Sequence, residues 1–155
     1  MVKAMNRGRH NKRRGAAAVE FAVVGSAAFL ILIGLLVGGL GVFRYQQIAS
    51  LARNASRWAC VHGTSYATFT GNPAASASDV YNNAIEPYAT GLNLSKLSYS
   101  VSWSNSNSPS YMAVVSGNTV SVANTVAVTV NYQWLPEAFL GAKTLSSSSV
   151  SVMSY

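Results

Sequence analysis

The sequence predicts an α+β fold in which a long N-terminal helix packs on a small antiparallel sheet. Residues 21–43 form an uncharged and mostly apolar run, and an apolar stripe with spacings of three and four continues to about residue 62. From residue 97 the apolar residues recur at every second position, which is typical of half-buried strands. Because the helical pattern comes first and the strands follow without alternating with helices, the chain belongs to the α+β class.

The formal net charge of +7 is concentrated at the N-terminus of the 155-residue chain. Six basic residues precede Gly15: Lys3, Arg7, Arg9, Lys12, Arg13 and Arg14. From Ala16 onward, five basic residues face four acids. A basic arm can bind nucleic acid, but this arm has no Phe, Tyr or Trp for base stacking and adjoins an apolar span. We therefore expect no nucleic-acid partner, and a positive-inside signal instead.

The apolar run Phe21–Phe43 has the length of a transmembrane helix. Its 23 uncharged residues would cover roughly 35 Å as a helix, enough for a bilayer core of about 30 Å. A cleaved secretory signal has a shorter apolar core. The sequence thus predicts a single-pass protein in contact with lipid of the inner (cytoplasmic) membrane, with a cytoplasmic N-terminus. Gly34 and Gly38 are four residues apart, the spacing at which small residues let two membrane helices pack closely. The same spacing also arises by chance in a glycine-rich span.

The junction between the basic arm and the span carries the string Gly15-Ala-Ala-Ala-Val-Glu20-Phe21. This string resembles the prepilin processing site of type IV pilins, especially of the Flp/Tad branch, in which Glu is followed by an aromatic residue. The wider stretch, which ends in Arg53-Asn-Ala-Ser-Arg57-Trp-Ala, resembles the TadE family of pilus-assembly pseudopilins. The resemblance implies a pilin-like fold and cleavage between Gly15 and Ala16 by a membrane-embedded prepilin peptidase. It also implies, as partners, other pilins or pseudopilins of the same pilus.

Glu20 lies one helical turn after Ala16. A carboxylate deep in a bilayer costs a few kcal/mol unless it has a partner or reaches the interface, and this position is near the predicted cytoplasmic edge. In a bundle of such helices, the free amine of a neighbouring subunit at Ala16 would neutralise Glu20. Such a desolvated pair would specify helix register more than it would add stability. The alternative is an interfacial acid that faces water or a lipid head group.

Beyond the membrane, the helix is predicted to continue to residue 62 and to present one apolar stripe. Tyr45, Ile48, Leu51, Ala52, Ala55, Trp58 and Ala59 form this stripe. Arg44 and Tyr45 would mark the outer interface, and Gly63 would end the helix. We thus expect a basic leader at 1–15, a long helix at 16–62 and an extracytoplasmic α+β domain at 63–155.

Within this domain, residues 64–76 are predicted as a loop. A second helix is predicted from Ser78, as its cap, to Glu86 or Ala89. Strands are predicted at 97–103, 111–115, 120–122, 125–134 and 144–153, with a turn at 116–118 and with Pro136 ending the fourth strand. This sheet would pack against the outer half of the long helix.

Acid–base and metal-binding groups are scarce. His10 lies in the leader and Glu20 in the span. Cys60 and His62 lack further metal ligands, and on a helix, residues two apart point to different sides. We expect no catalytic residue, no cofactor and no metal site. Cys60 is the only cysteine, so it is either a small buried residue or one half of an intermolecular disulfide.

The leading hypothesis is a minor pilin or pseudopilin that acts in pilus assembly or surface adhesion, located in the inner membrane and, after processing, in a pilus or on the cell surface. A second hypothesis is an unprocessed, membrane-anchored binding or scaffold module. Trp103, Tyr132 and Trp134 would form its contact face, although packing on the helix explains their common parity equally well. A polysaccharide-acting enzyme is the third hypothesis, and the sequence offers no catalytic set for it.

Overall fold

The computed structural model describes residues 10–134 and 141–155, with side chains from Gly15 onward. Residues 1–9 of the predicted leader, and Pro136, the predicted end of a strand, lie outside the described residues. The chain divides into two units, one ending at Leu40 and the other comprising Gly41–Tyr155.

The described residues form helices first and strands afterwards, which confirms the α+β prediction. The helices are α1 (His10–Cys60), α2 (Thr64–Thr70) and α3 (Ala77–Val80). One π turn (Tyr81–Ile85) and two 3-10 turns (Glu86–Tyr88 and Leu94–Lys96) follow. The strands are β1 (Leu97–Trp103), β2 (Ser110–Val115), β3 (Asn118–Ala123), β4 (Thr125–Trp134) and β5 (Lys143–Val152).

The strands form two antiparallel sheets. The larger sheet has the order β1-β4-β5, and β2 and β3 form a separate hairpin. Val128 of β4 lies opposite Val101 of β1 and Ser149 of β5. The hairpin turn lies at Ser116 and Gly117, with φ values of 52° and 82°, so the turn predicted here is confirmed. Two positive φ angles match the right-handed twist of the flanking strands.

The core of the Gly41–Tyr155 unit lies between α1 and the larger sheet, as predicted. On α1, the residues Ile48, Leu51, Ala52, Ala55 and Ala59 are buried. They share one core cluster with Val126, Val128, Val130 and Tyr132 of β4. The prediction was wrong for Tyr45, which is 45% exposed. Because alanines make up most of the helical stripe, the helix backbone can lie close to the sheet.

Two details of the segment between α1 and β1 differ from the prediction. Residues 64–70 form helix α2 instead of a loop. The next helix is capped by Ser76 rather than Ser78. The backbone N–H of Ser76 donates to Asp79 Oδ2 (2.9 Å), and the N–H of Asp79 donates back to Ser76 Oγ (3.3 Å). These two bonds form a reciprocal capping box. The Ser76 hydroxyl, which also donates to the carboxylate, and the Ser76 backbone N–H lower the pKa of Asp79.

Strand β5 directs serines, and not its valines, toward α1. Ser149 Oγ and Ser151 Oγ lie 2.9 and 3.0 Å from Oγ of Ser56, which is fully buried on α1. Val150 and Val152 are 62% and 58% exposed. Only small side chains fit where helix and strand approach closely. The Ser56 hydroxyl donates to the carbonyl oxygen of Arg53 and accepts from the β5 serines, so this buried group is hydrogen-bonded.

Asn124, between β3 and β4, is the second fully buried polar residue of this unit. Its Oδ1 accepts from Ser104 Oγ (3.0 Å), and its Nδ2 donates to the carbonyl oxygen of Ser108 (2.9 Å). Its backbone N–H donates to the carbonyl oxygen of Pro109, and its carbonyl accepts from Met153 N. Asn124 therefore connects the loop before β2 with the end of β5.

Candidate processing and membrane-anchoring segment

The predicted processing residues Gly15, Ala16, Glu20 and Phe21 lie in order on the first turns of α1, and all four are exposed. A Cβ added at Gly15 would meet no atom within 4 Å. Packing within the described chain therefore does not require glycine at this position. Ala16 and Glu20, four residues apart, lie on the same face of the helix.

The span that follows is apolar on every side of the helix. Except for Val37, which is half-buried, its large apolar side chains from Val19 to Leu40 are 54–79% exposed. One helix of the described chain, near the N-terminus, is long and apolar enough to cross a membrane, and none of its most apolar window is buried within the protein. A soluble surface helix would instead be polar on one face. This helix is a candidate membrane anchor.

The predicted packing glycines Gly34 and Gly38 are exposed, with no atom within 4 Å of an added Cβ. The apolar concavity described for this unit lies one to two turns earlier on the helix. It measures about 270 Å³ and is lined by Phe21, Val24, Gly25, Ala28, Phe29 and Leu32. Sequence reasoning missed Gly25 and Ala28. The sequence pattern that could have indicated this concavity is a pair of small residues three positions apart, between Phe21 and Phe29.

Two contacts attach the first residues of α1 in the Gly41–Tyr155 unit to the rest of that unit. The Trp134 ring lies against Gly41, where an added Cβ would be 2.9 Å from Cη2. Arg44 Nη1 donates to the carbonyl oxygen of Gly91 (2.8 Å) and to Gln47 Oε1 (2.9 Å). Arg44, expected as an interface marker, thus also binds a loop of its own unit, and Gly41 leaves room for an indole ring.

Cys60 and His62 are each hydrogen-bonded to the helix backbone. Cys60 Sγ donates to the carbonyl oxygen of Arg57 (3.1 Å), and burial raises the pKa of this thiol. His62 Nδ1 lies 2.7 Å from the carbonyl oxygen of Trp58. Within residues 10–134 and 141–155, no three His, Cys, Asp or Glu side chains are grouped closely enough to hold a metal ion.

The aromatic residues Trp103, Tyr132 and Trp134, the contact face of the scaffold hypothesis, pack on the core instead. Tyr132 is 7% exposed, and both tryptophans are partly buried against the core cluster. Their common parity is therefore explained by packing.

Comparison with known proteins finds a similarity for the N-terminal segment. A family model described as TadE-like protein matches residues 15–57. Searches of curated proteins and of solved structures found no match. The matched segment begins at Gly15 and contains Glu20, the whole apolar span and most of the buried stripe of α1. Residues 15–57 are therefore similar to the TadE-like family.

Proposed function

We propose that this chain is a minor pilin or pseudopilin of a Flp/Tad-type pilus, processed by a prepilin peptidase and active in pilus assembly or surface adhesion. The observation that carries the proposal is the exposed Gly15–Phe21 junction, placed directly before an all-round apolar helix within the TadE-like match. Other pilins or pseudopilins of the same pilus are its partners, and lipid surrounds the span before assembly.

The basic arm and the span together determine where the chain stands in the membrane. Basic residues next to a span remain on the cytoplasmic side, so the Gly41–Tyr155 unit is extracytoplasmic. The Gly15–Ala16 bond then lies at the inner membrane face. Because Gly15 has no side chain and is exposed, a peptidase can approach the backbone there.

Cleavage after Gly15 creates a cationic amine at Ala16. Ala16, which carries this amine after cleavage, and Glu20 lie one turn apart on the same face of α1. When two processed helices pack side by side, the amine of one subunit can pair with the carboxylate of the next. A charge that is desolvated without a partner is unfavourable. Pairing therefore favours the register of neighbouring helices that brings the amine and the carboxylate together. Glu20 thus positions the subunit during assembly.

The apolar surface of the span must be covered in both states of the subunit. Lipid covers it before assembly, and neighbouring helices cover it afterwards. The concavity around Gly25 and Ala28 can receive a ridge of large side chains from a neighbouring helix. Gly34 and Gly38, which are equally open, allow a second close approach.

Replacement of Glu20 tests the proposal. Cells that carry only the Glu20→Ala variant should cleave the leader but produce few or no pili when counted by electron microscopy. Glu86→Ala is the matched control, because Glu86 is an exposed acid of the second unit. It should leave pili at the normal number. An unprocessed, anchored binding module would keep its function in both variants, and equal pilus numbers in both would contradict the proposal.

A further inference from the structure

Two adjacent concavities lie on the Gly41–Tyr155 unit, between the end of α1 and the segment from α2 to the π turn. The larger measures about 450 Å³ and is lined by Trp58, His62, Tyr66, Asn72, Pro73, Ala75, Asp79 and Asn83. The smaller measures about 370 Å³ and is lined by Asn54, Arg57, Trp58, Asn83, Ala84 and Tyr88. Both are lined by Trp58 and Asn83, so the two concavities are adjacent, and we call them together the Trp58 groove.

Aromatic rings line one part of the Trp58 groove. The Trp58 and His62 rings are stacked, with centroids 3.9 Å apart and an angle of 12° between their planes. Tyr66 packs against His62 at 4.6 Å. A carbonyl oxygen can only accept, so His62 Nδ1 carries the proton that it donates to the carbonyl of Trp58. In the neutral ring, Nε2 is then an acceptor.

The polar part of the larger concavity includes hydrogen-bond acceptors on Asn83, Asp79 and His62. Asn83 Nδ2 donates to the carbonyl oxygen of Asp79 (2.8 Å), so the amide presents Oδ1. Asp79 Oδ2 accepts from Ser76, and the carboxylate keeps Oδ1 for other donors. Together with His62 Nε2, these acceptors suit a ligand that supplies several donors. The amide of Asn72 adds a donor and an acceptor.

We propose that the Trp58 groove binds a saccharide chain, with one sugar ring in each concavity. A sugar ring has an apolar C–H face that packs on aromatic planes, and hydroxyl groups at its edge that donate to amide, carboxylate and imidazole acceptors. A polyol meets both parts of the groove at once. A cationic ligand would meet the guanidinium of Arg57 in the smaller concavity. This inference goes beyond the assembly role and does not depend on cleavage or on Glu20.

Titration calorimetry of the full chain tests the inference. A polyoxyethylene detergent is required, since a glucoside detergent would itself present sugar head groups. The probes are cellotetraose, chitotetraose and tri-galacturonic acid. We expect saturable binding of at least one probe. Tyr66→Ala should raise Kd by about tenfold, which corresponds to about 1.4 kcal/mol, close to the upper end of an aromatic contact.

Phe69→Ala is the matched control, because Phe69 lies on the same short helix, is 80% exposed and does not line the groove. Its Kd should stay within about twofold of the native value. Asn83→Ala, which removes a polar group common to both concavities, provides a second variant should Tyr66→Ala unfold the unit. Circular dichroism reports whether each variant is folded.

Several results would overturn the inference. Absence of saturable binding for all three probes is one, and equal Kd values for the native chain and Asn83→Ala are another. Binding of tetramethylammonium in place of the saccharides would show a cation pocket instead. None of these results affects the pilin proposal, which depends on cleavage and on Glu20.

Discussion

Asn124→Ala is expected to destabilise the Gly41–Tyr155 unit by about 2–3 kcal/mol. The Asn124 side chain is fully buried and forms hydrogen bonds with Ser104, Ser106 and the carbonyl of Ser108. A lost hydrogen bond costs about 1 kcal/mol, and a buried group left without a partner costs about 1–3 kcal/mol. Ser104 and Ser106 are exposed, so water can replace Asn124 for their hydroxyls. The larger share of the cost comes from the carbonyl of Ser108.

Urea unfolding of the full chain in detergent, followed by tryptophan fluorescence, measures this change. Asn105→Ala is the control, because Asn105 is an exposed amide of the same loop. It should change the free energy of unfolding by less than about 0.5 kcal/mol. If Asn124→Ala also changed the free energy of unfolding by less than about 0.5 kcal/mol, Asn124 would not hold the loop before β2 to the end of β5.

Three further predictions concern the same unit. Gly63→Ala should destabilise the Gly41–Tyr155 unit by more than about 2 kcal/mol in urea unfolding. The new Cβ would lie 2.8 Å from the carbonyl oxygen of Asn107 and from the methyl group of Met153; an unchanged urea midpoint would contradict this prediction. Val128→Ala should cost about 2 kcal/mol, whereas Val150→Ala, at an exposed position, should cost less than about 0.5 kcal/mol; equal costs would show that the two strand faces are assigned wrongly. Ser76→Ala should raise the pKa of Asp79 toward its ordinary value, as measured by NMR titration. Since folding lowers the pKa of Asp79, its stabilising effect is present above the ordinary Asp pKa and is lost as pH falls through the folded value; an unchanged pKa would exclude the Ser76 hydroxyl as the main cause.

The helices and strands in which apolar residues recur at a regular spacing were predictable from the sequence. Strand β4 runs from Thr125 to Trp134 with the predicted bounds and parity, and β1 from Leu97 to Trp103 likewise. The buried stripe of α1 was predicted at spacings of three and four. In each case a single repeating pattern directs apolar residues to one face, so local sequence and tertiary packing agree.

Elements stabilised by distant contacts were not predictable. Helix α2 has no buried residue, so it shows no apolar stripe, and its first N–H donates to the carbonyl oxygen of Asn107, far along the chain. The inward serines of β5 depend on Ser56 of α1, which no local pattern in β5 reveals. Asn124 was missed for the same reason, because polar residues in loops usually face water.

For the candidate site, the sequence supplied the junction residues and the apolar span, since both depend on residue type and order along one helix. It did not supply the concavity at Gly25 and Ala28, whose depth depends on the side chains around it. The Trp58 groove combines residues of α1, the α2 segment and the π turn, and their arrangement arises only when the unit folds.

The mass of the intact protein, from cells with and without the prepilin peptidase, shows whether the chain is cleaved after Gly15. We expect the protein from peptidase-containing cells to begin at Ala16 and the protein from cells lacking the enzyme to keep residues 1–15. Retention of residues 1–15 in both, or a different first residue, would contradict this expectation.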